Sequence, residues 1–382
     1  MSRIAATRPG LVLLLLAALA GCASAPPAPE APAAAQPAPA APAATPASHS
    51  GVLEGAPYLI EVPPRWNGEL VMFLHGYEPK GAPRETPLVA NDFDRWLLSE
   101  GFAVARSSYS AQGWAVAEAL VDNERLRQHA ATLIGKPKRT WLLGNSLGGL
   151  LVLASLERHP DAYDGALSLC GVNVSGEEII GRGGLDPLAV FEHYFPGVLG
   201  LAAGGLADPA SPPSADPAAI EVALASNETR AGQLAASFDI PRRDLSGALM
   251  LQYLVLRELS ERAGGLPVSN RDSVYQGFGD DTALNAAIRR YDAAPGAATY
   301  LRANATLSGS APRPVVLLSN VNDPTVPARF SGRYAELAKA AGRADHVLVM
   351  PPVGEGHCAF SQVDIGRALR ALVDRGSMPP AE

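Results

Sequence analysis

The sequence predicts an α/β domain: a mostly parallel sheet with helices on both faces and a helical cap inserted between two late strands. Three observations carry this. Short apolar runs alternate with segments of helical spacing from residue 69 to residue 169. The alternation stops over about 171–313 and then resumes. Between the two, an apolar strand runs into Gly144-Asn145-Ser146-Leu147-Gly148-Gly149, which opens a helix.

The elements follow in order. Residues 51–63 alternate enough to form a hairpin or two short strands. Residues 69–74 form a nearly continuous apolar run ahead of His75-Gly76, the pattern of a strand buried on both faces. Residues 87–100 have helical spacing in Leu88, Phe93, Trp96 and Leu97. Residues 102–107 read as a strand and 115–133 as a helix with its charges on one face. A strand at 140–143 meets a helix at 147–158, which ends before Pro160. Residues 164–169 are a further strand. The stretch 171–313 is rich in Gly, Pro and Ala, with helical patches clearest at 246–262, and is expected to lie as a mobile lid over Ser146. The period returns as strand 314–318, helix 328–341, strand 346–350 and helix 360–375. Buried strands alternating with helices imply parallel pairing with helices on both faces.

The turn at Ser146 is where chemistry concentrates. A serine between a strand and a helix is held on a strained turn that lifts its hydroxyl above the sheet. Gly144 and Gly148 leave room where the turn crowds its neighbours. The helix beyond points backbone N–H groups at a developing oxyanion. A serine hydroxyl needs a base to take its proton. Of the seven histidines, His49 lies in a linker, His129 and His159 on or at the end of helices, and His193 in the cap. His346 begins a strand, and His75 shapes the loop after the first buried strand. His357, in Gly354-Glu355-Gly356-His357-Cys358, follows the last strand among glycines and is the expected general base. Asp323, in Asn320-Val321-Asn322-Asp323-Pro324, follows strand 314–318 and is the expected orienting acid. Asp345 and Glu355 are the alternative acids, and capping the turn before Pro324 is the alternative role for Asp323.

These motifs, with Phe73-Leu74-His75-Gly76-Tyr77, resemble the α/β-hydrolase superfamily. The order Ser146, Asp323, His357 matches that of the family. The resemblance covers residues 51–375 and implies an oxyanion hole made by the backbone N–H groups of Tyr77 and Leu147. The pairing of Asp164-Gly165-Ala166-Leu167-Ser168-Leu169-Cys170-Gly171 with Gly356-His357-Cys358-Ala359-Phe360 is similar to secreted bacterial hydrolases of the esterase and peptidase type. The Gly-His-Cys piece is also similar to tannases and feruloyl esterases, which place a cysteine before the nucleophile where this chain has Asn145. In such a fold Cys170 and the loop of His357 come to one sheet edge, which implies a Cys170–Cys358 disulfide; two buried free thiols are the alternative.

The N-terminus places the domain. Arg3 and Arg8 precede a short apolar run, 11–20, too short to span a bilayer as a helix. Leu19-Ala20-Gly21-Cys22 resembles the lipobox of bacterial lipoproteins, whose cysteine is lipidated before cleavage. Residues 1–21 are therefore expected to be a signal peptide. Residues 22–48, almost entirely Ala and Pro with lipidated Cys22 at their head, are expected to be a semi-rigid spacer. Residues 49–378 form the hydrolase domain. Ala23 rather than Asp after the cysteine implies, by the same resemblance, the outer membrane of the cell envelope. Cys170 and Cys358 then mature in an oxidising compartment.

Composition narrows the functions. Hydrophobic content of 47% supports a sizeable core, and the net charge of −7 comes with no basic run, so nucleic acid is not an expected partner. Metal-binding spacings such as H-E-x-x-H and C-x-x-C are absent, as are nucleotide fingerprints, so neither a metal nor a cofactor is expected. The leading expectation is a serine carboxylesterase working through an acyl-enzyme on a small-molecule or polymeric ester. The alternatives are a serine peptidase or amidase of prolyl-oligopeptidase type, and a tethered binding module without catalysis.

Overall fold

The computed structural model describes residues 45–377. The expected signal peptide, Cys22 and most of the Ala/Pro spacer lie outside the described residues. Eight strands form one sheet: β1 (Ala47–Leu53), β2 (Ala56–Val62), β3 (Glu69–Leu74), β4 (Ala103–Ser107), β5 (Arg139–Asn145), β6 (Gly165–Leu169), β7 (Val315–Leu318) and β8 (Val347–Val349). Their order is β1-β2-β4-β3-β5-β6-β7-β8. The pairs β1–β2 and β2–β4 are antiparallel, and every pair from β4–β3 onward is parallel. This is the α/β-hydrolase architecture that the motifs imply. β1 begins at Ala47, inside the stretch expected to be spacer; the last proline before it is Pro46, so nothing prevents pairing from Ala47 onward.

Side-chain alternation along β3 explains how both faces are covered. Leu70, Met72 and Leu74 face one core with α2 (Val116–Ile134) and α3 (Leu147–Arg158). Val71 faces the other with Leu97 and Leu98 of α1 (Asp92–Ser99) and Leu369 and Leu372 of α13 (Gln362–Ser377). Leu142 and Leu143 of β5 divide in the same way. A strand buried on both faces has no polar side, so it reads as a continuous apolar run.

Between β6 and β7 the chain is helical: α4 (Gly176–Ile180), a π-helical turn (Gly181–Leu185), α5 (Asp186–Tyr194), α6 (Pro217–Ser226), α7 (Glu228–Ser237), α8 (Leu245–Ala263), α9 (Asp281–Ala287) and α10 (Pro295–Ala305). After β7 come α11 (Ala328–Ser331) and α12 (Arg333–Ala340), divided at Gly332 where one helix was expected. The inserted segment is the helical cap expected between two late strands. Leu188, Phe191, Leu249 and Leu256 are buried in the same apolar cluster as Leu147, Leu150 and Met72, so cap and sheet share one core.

Candidate active site

The sheet brings its loops to one edge, and Ser146 stands at the centre of it. The residue joins β5 to α3 with φ 56° and ψ −122°, a conformation that costs a non-glycine residue energy and holds the side chain up from the turn. Two glycines allow it by close approach rather than by special dihedrals. A Cβ on Gly148 would stand 2.0 Å from the carbonyl oxygen of Leu74, and one on Gly144 2.3 Å from that of Gly148. The elbow therefore seats α3 directly against β3 and β5.

His357 and Asp323 reach the serine from two loops tied together by backbone. Val321 N–H donates to Gly354 O at 2.8 Å, and Gly356 N–H returns the bond to Val321 O at 2.9 Å. Asn320 Nδ2 adds a bond to Val353 O at 2.8 Å. Across this lacing, His357 Nδ1 lies 2.8 Å from Asp323 Oδ2 and 3.0 Å from Oδ1. His357 Nε2 lies 2.9 Å from Ser146 Oγ. With the imidazole neutral, this geometry is that of Nδ1–H donating to the carboxylate and the serine O–H donating to Nε2. Asp323 is 3% exposed, and its Oδ1 also accepts from Thr325 N–H at 2.9 Å and Val326 N–H at 3.0 Å. The turn-capping role and the histidine-facing role thus coexist in one carboxylate. The alternative acids lie elsewhere: Glu355 is exposed and paired with Arg243, and Asp345 sits on an exposed turn.

The expected oxyanion loop is beside the serine. A Cβ on Gly76 would meet Ser146 Cβ at 2.9 Å, so the chain at Gly76-Tyr77 passes within contact distance of Ser146. Leu147, first residue of α3, has one of the N–H groups a helix start leaves without an intrahelical partner. Below the loop, His75 stacks on Tyr109 with ring centroids 4.0 Å apart, and its Nδ1 lies 2.8 Å from Gly76 O. His75 Nε2 is closed off without a partner, and burial pushes this imidazole below its ordinary pKa.

Cys170 and Cys358 form a disulfide, joining the end of β6 to the residue after His357. Cys170, His357 and Cys358 offer potential ligand atoms within 4.8 Å of one another, but the two sulfurs are bonded to each other and are not free thiolates. Asn145 Nδ2 lies 4.0 Å from Cys358 Sγ, so the position before the serine borders the bridge without taking part in it.

A cavity of about 600 Å³, its mouth included, opens at Ser146. Apolar side chains of the cap, among them Ile179, Ile180, Leu251 and Val255, roof it over Leu147 and Trp114. Gly183 and Gly184 of the π-helical turn bring bare backbone to its wall. None of its lining residues is charged. Gln252 is a polar exception, with an Oε1 that is enclosed and unpartnered. Sequence reading missed two further residues. Glu258 of α8 is 6% exposed, yet its carboxylate accepts from Tyr77 O–H at 2.6 Å and Lys80 N–H at 3.0 Å. Its sequence signal is a charge set between Leu256 and Leu259, both buried. Gln252 carries no such signal.

No protein-family model matches the chain, and no curated protein matches it. Solved structures do show a likeness. An esterase from Pyrococcus furiosus is 12% identical, with 86% of this chain and 91% of that one covered at a TM-score of 0.43. A carboxyl esterase from Bacillus coagulans is 13% identical, with 86% and 97% covered at 0.43. An acylaminoacyl peptidase from Pyrococcus horikoshii is 11% identical, with 87% of this chain but 40% of that one covered at 0.42.

Proposed function

We propose that the protein is a serine hydrolase that cleaves carboxylic esters of apolar acyl groups through an acyl-enzyme. The observation that carries the proposal is the unbroken line Asp323–His357–Ser146, at 2.8 Å and 2.9 Å, opening into an uncharged cavity. In this reading Ser146 Oγ attacks the ester carbonyl while His357 Nε2 takes its proton. The oxygen that becomes negative is held by the N–H groups of Tyr77 and Leu147. His357 then gives the proton to the leaving alkoxide, and the acyl group stays on Ser146. A water, deprotonated by the same Nε2, attacks the acyl carbon; the bond to Ser146 Oγ breaks, His357 returns the proton to Oγ, and the carboxylic acid leaves. Asp323 fixes the imidazole tautomer and stabilises the imidazolium between these steps. An uncharged cavity favours a neutral acyl group over a peptide terminus, and the Gln252 carboxamide is placed to meet one polar group of the substrate.

The test is direct. Wild type is expected to be labelled by a fluorophosphonate at Ser146 and to hydrolyse p-nitrophenyl acyl esters far faster than short peptide amides. Ser146→Ala should lose labelling and several orders of magnitude of turnover. Near-wild-type turnover in that variant sinks the proposal; faster cleavage of the amides moves the substrate to peptides.

We propose in addition that Cys22 carries a lipid anchor holding the domain at the outer membrane. Cys22→Ser should abolish incorporation of labelled fatty acid and release the protein from the membrane fraction. Incorporation that persists in the variant, or wild type recovered with the inner membrane, counts against this.

A further inference from the structure

The cavity at Ser146 meets only one arm of an ester that reacts there. His357 is not among the residues that line it. The imidazole is 24% exposed, and its loop is polar. Glu355, two residues before it, is exposed, paired with Arg243 and 3.4 Å from Asn322 Nδ2. The apolar walls come from other parts of the chain: Val172 after β6, Ile179 and Ile180 ahead of the π-helical turn, and Leu251 and Val255 of α8.

With Ser146 as the nucleophile proposed above, the reacting carbon carries four groups in the tetrahedral intermediate. They are Ser146 Oγ, the negative oxygen, the leaving alcohol oxygen and the acyl chain. The negative oxygen faces the N–H groups of Tyr77 and Leu147 in that reading. The leaving oxygen must take its proton from His357 Nε2, so the alcohol stands on the exposed, polar side. The acyl chain is the one group left for the cavity.

The π-helical turn sets the room for that chain. Asp186 N–H reaches back to Gly181 O, the wider hydrogen-bonded loop of a π-turn. The two glycines that this turn presents to the cavity differ. A Cβ on Gly183 would press on Ile179 Cδ1 at 3.0 Å and on the Phe330 ring at 3.3 Å, so packing already fills that position. A Cβ on Gly184 would find Ile179 O at 4.0 Å and nothing nearer. Gly184 is buried and lines the cavity, so the free space at its Cα is the cavity itself.

We infer that Gly184 is a specificity-determining residue of the acyl site: the space left by its missing side chain receives a short apolar acyl chain, and the alcohol stays outside the cavity. The substrate class is a short-chain fatty acyl ester whose alcohol is free in size and polarity. This rests on the acyl-enzyme reading of Ser146. Each methylene taken from water into an apolar pocket favours the substrate that carries it.

The experiment compares kcat/KM for two isomers, ethyl hexanoate and hexyl acetate, which differ in the arm that carries the longer chain. Wild type should favour ethyl hexanoate about 10-fold and cleave glyceryl monohexanoate within about 3-fold of it. Gly184→Val should lower kcat/KM for ethyl hexanoate about 10-fold and bring the two isomers level. Gly184→Ala adds one methyl group to free space and should shift the ratio the same way by about 3-fold. It should also unfold at or above the wild-type temperature, since alanine suits a helical turn better than glycine, so it carries the test where Gly184→Val fails to fold. A wild type that favours hexyl acetate, or neither isomer, overturns the assignment of the acyl arm to the cavity. A preference for ethyl hexanoate that stands unchanged in both variants, or a lowered Tm in Gly184→Ala, overturns the role of Gly184. A glyceryl ester cleaved more than about 10-fold more slowly than the ethyl ester overturns the open alcohol side. A wild type that leaves all three esters intact overturns the proposed ester chemistry, and this inference with it.

Discussion

At the scale of single residues, two histidines of this region are set to different tasks by what surrounds them. His357 has both ring nitrogens engaged, one by Asp323 and one by Ser146. His75 has one engaged by Gly76 O and one enclosed with nothing to bind, so its neutral form is the one the fold accepts. Its depressed pKa has a consequence for stability. Above the ordinary imidazole value of about 6.5, His75 is neutral in both folded and unfolded chains and contributes no pH dependence. As pH falls below that value, the unfolded chain takes up a proton that the folded one resists, and folding weakens until the folded value is reached. Denaturant unfolding at pH 7.5 and 5.5 should show His75→Gln losing up to about 1 kcal/mol less stability than wild type over this interval. Equal losses in both proteins would place the charge-sensitive group elsewhere. The serine, histidine and aspartate positions were legible in sequence because each lies in a loop after an apolar strand, where the fold gathers its polar groups. His75 was legible as a loop-shaping residue, but its enclosure depends on Tyr109, which comes from another strand end.

At the scale of elements, the sheet and the presence of a helical cap between two late strands were legible, and the contacts of the cap were not. Strands such as β3 and β5 announce themselves because burial on both faces leaves no polar position. The inserted helices bury mixed faces against one another, so with Gly and Pro in their connections the sequence showed a helical cap without the bounds or partners of most of its helices. Helix α8 shows what that reading misses. Glu258 latches it to the proposed oxyanion loop through Tyr77 O–H and Lys80 N–H, and Arg262 and Glu261 pair with Glu118 and Lys80 close by. Burial and the carboxylate push the Tyr77 phenol well above its ordinary pKa, which keeps it a donor. If the loop must be still when negative charge develops, the latch matters more in the transition state than in substrate binding. Glu258→Ala is expected to lower kcat about 10-fold with KM changed much less. It should also cost about 1–3 kcal/mol of stability from the stranded phenol and N–H. Glu258→Gln keeps an acceptor and should recover most of the rate. Wild-type kcat in the alanine variant would leave the latch a purely structural contact.

At the scale of the whole molecule, the histidine loop has two fastenings that hold it to different partners. The backbone lacing at Val321 holds it to the acid loop, so His357 and Asp323 move as one piece. The disulfide holds it to the end of β6, the strand beside β5 that carries Ser146. Its two cysteines are 188 residues apart in sequence, and the segment between them contains the entire cap. Closing so long a loop constrains the unfolded chain by about 5 kcal/mol at most on the chain-entropy account. The separation of fastenings predicts which distance suffers when the bridge is removed. The Asp323–His357 pair keeps its lacing, while the His357–Ser146 contact loses the link that references it to the sheet. A Cys170→Ala, Cys358→Ala double variant should therefore remain folded at 25 °C with a lowered Tm, and its Ser146 should react with a fluorophosphonate about 10-fold more slowly than in the oxidised wild type. Dithiothreitol should slow labelling of the wild type in the same way and leave the double variant unaffected. Equal labelling rates in the oxidised wild type and the double variant would show that the lacing alone positions the base, and the bridge would then act on stability only.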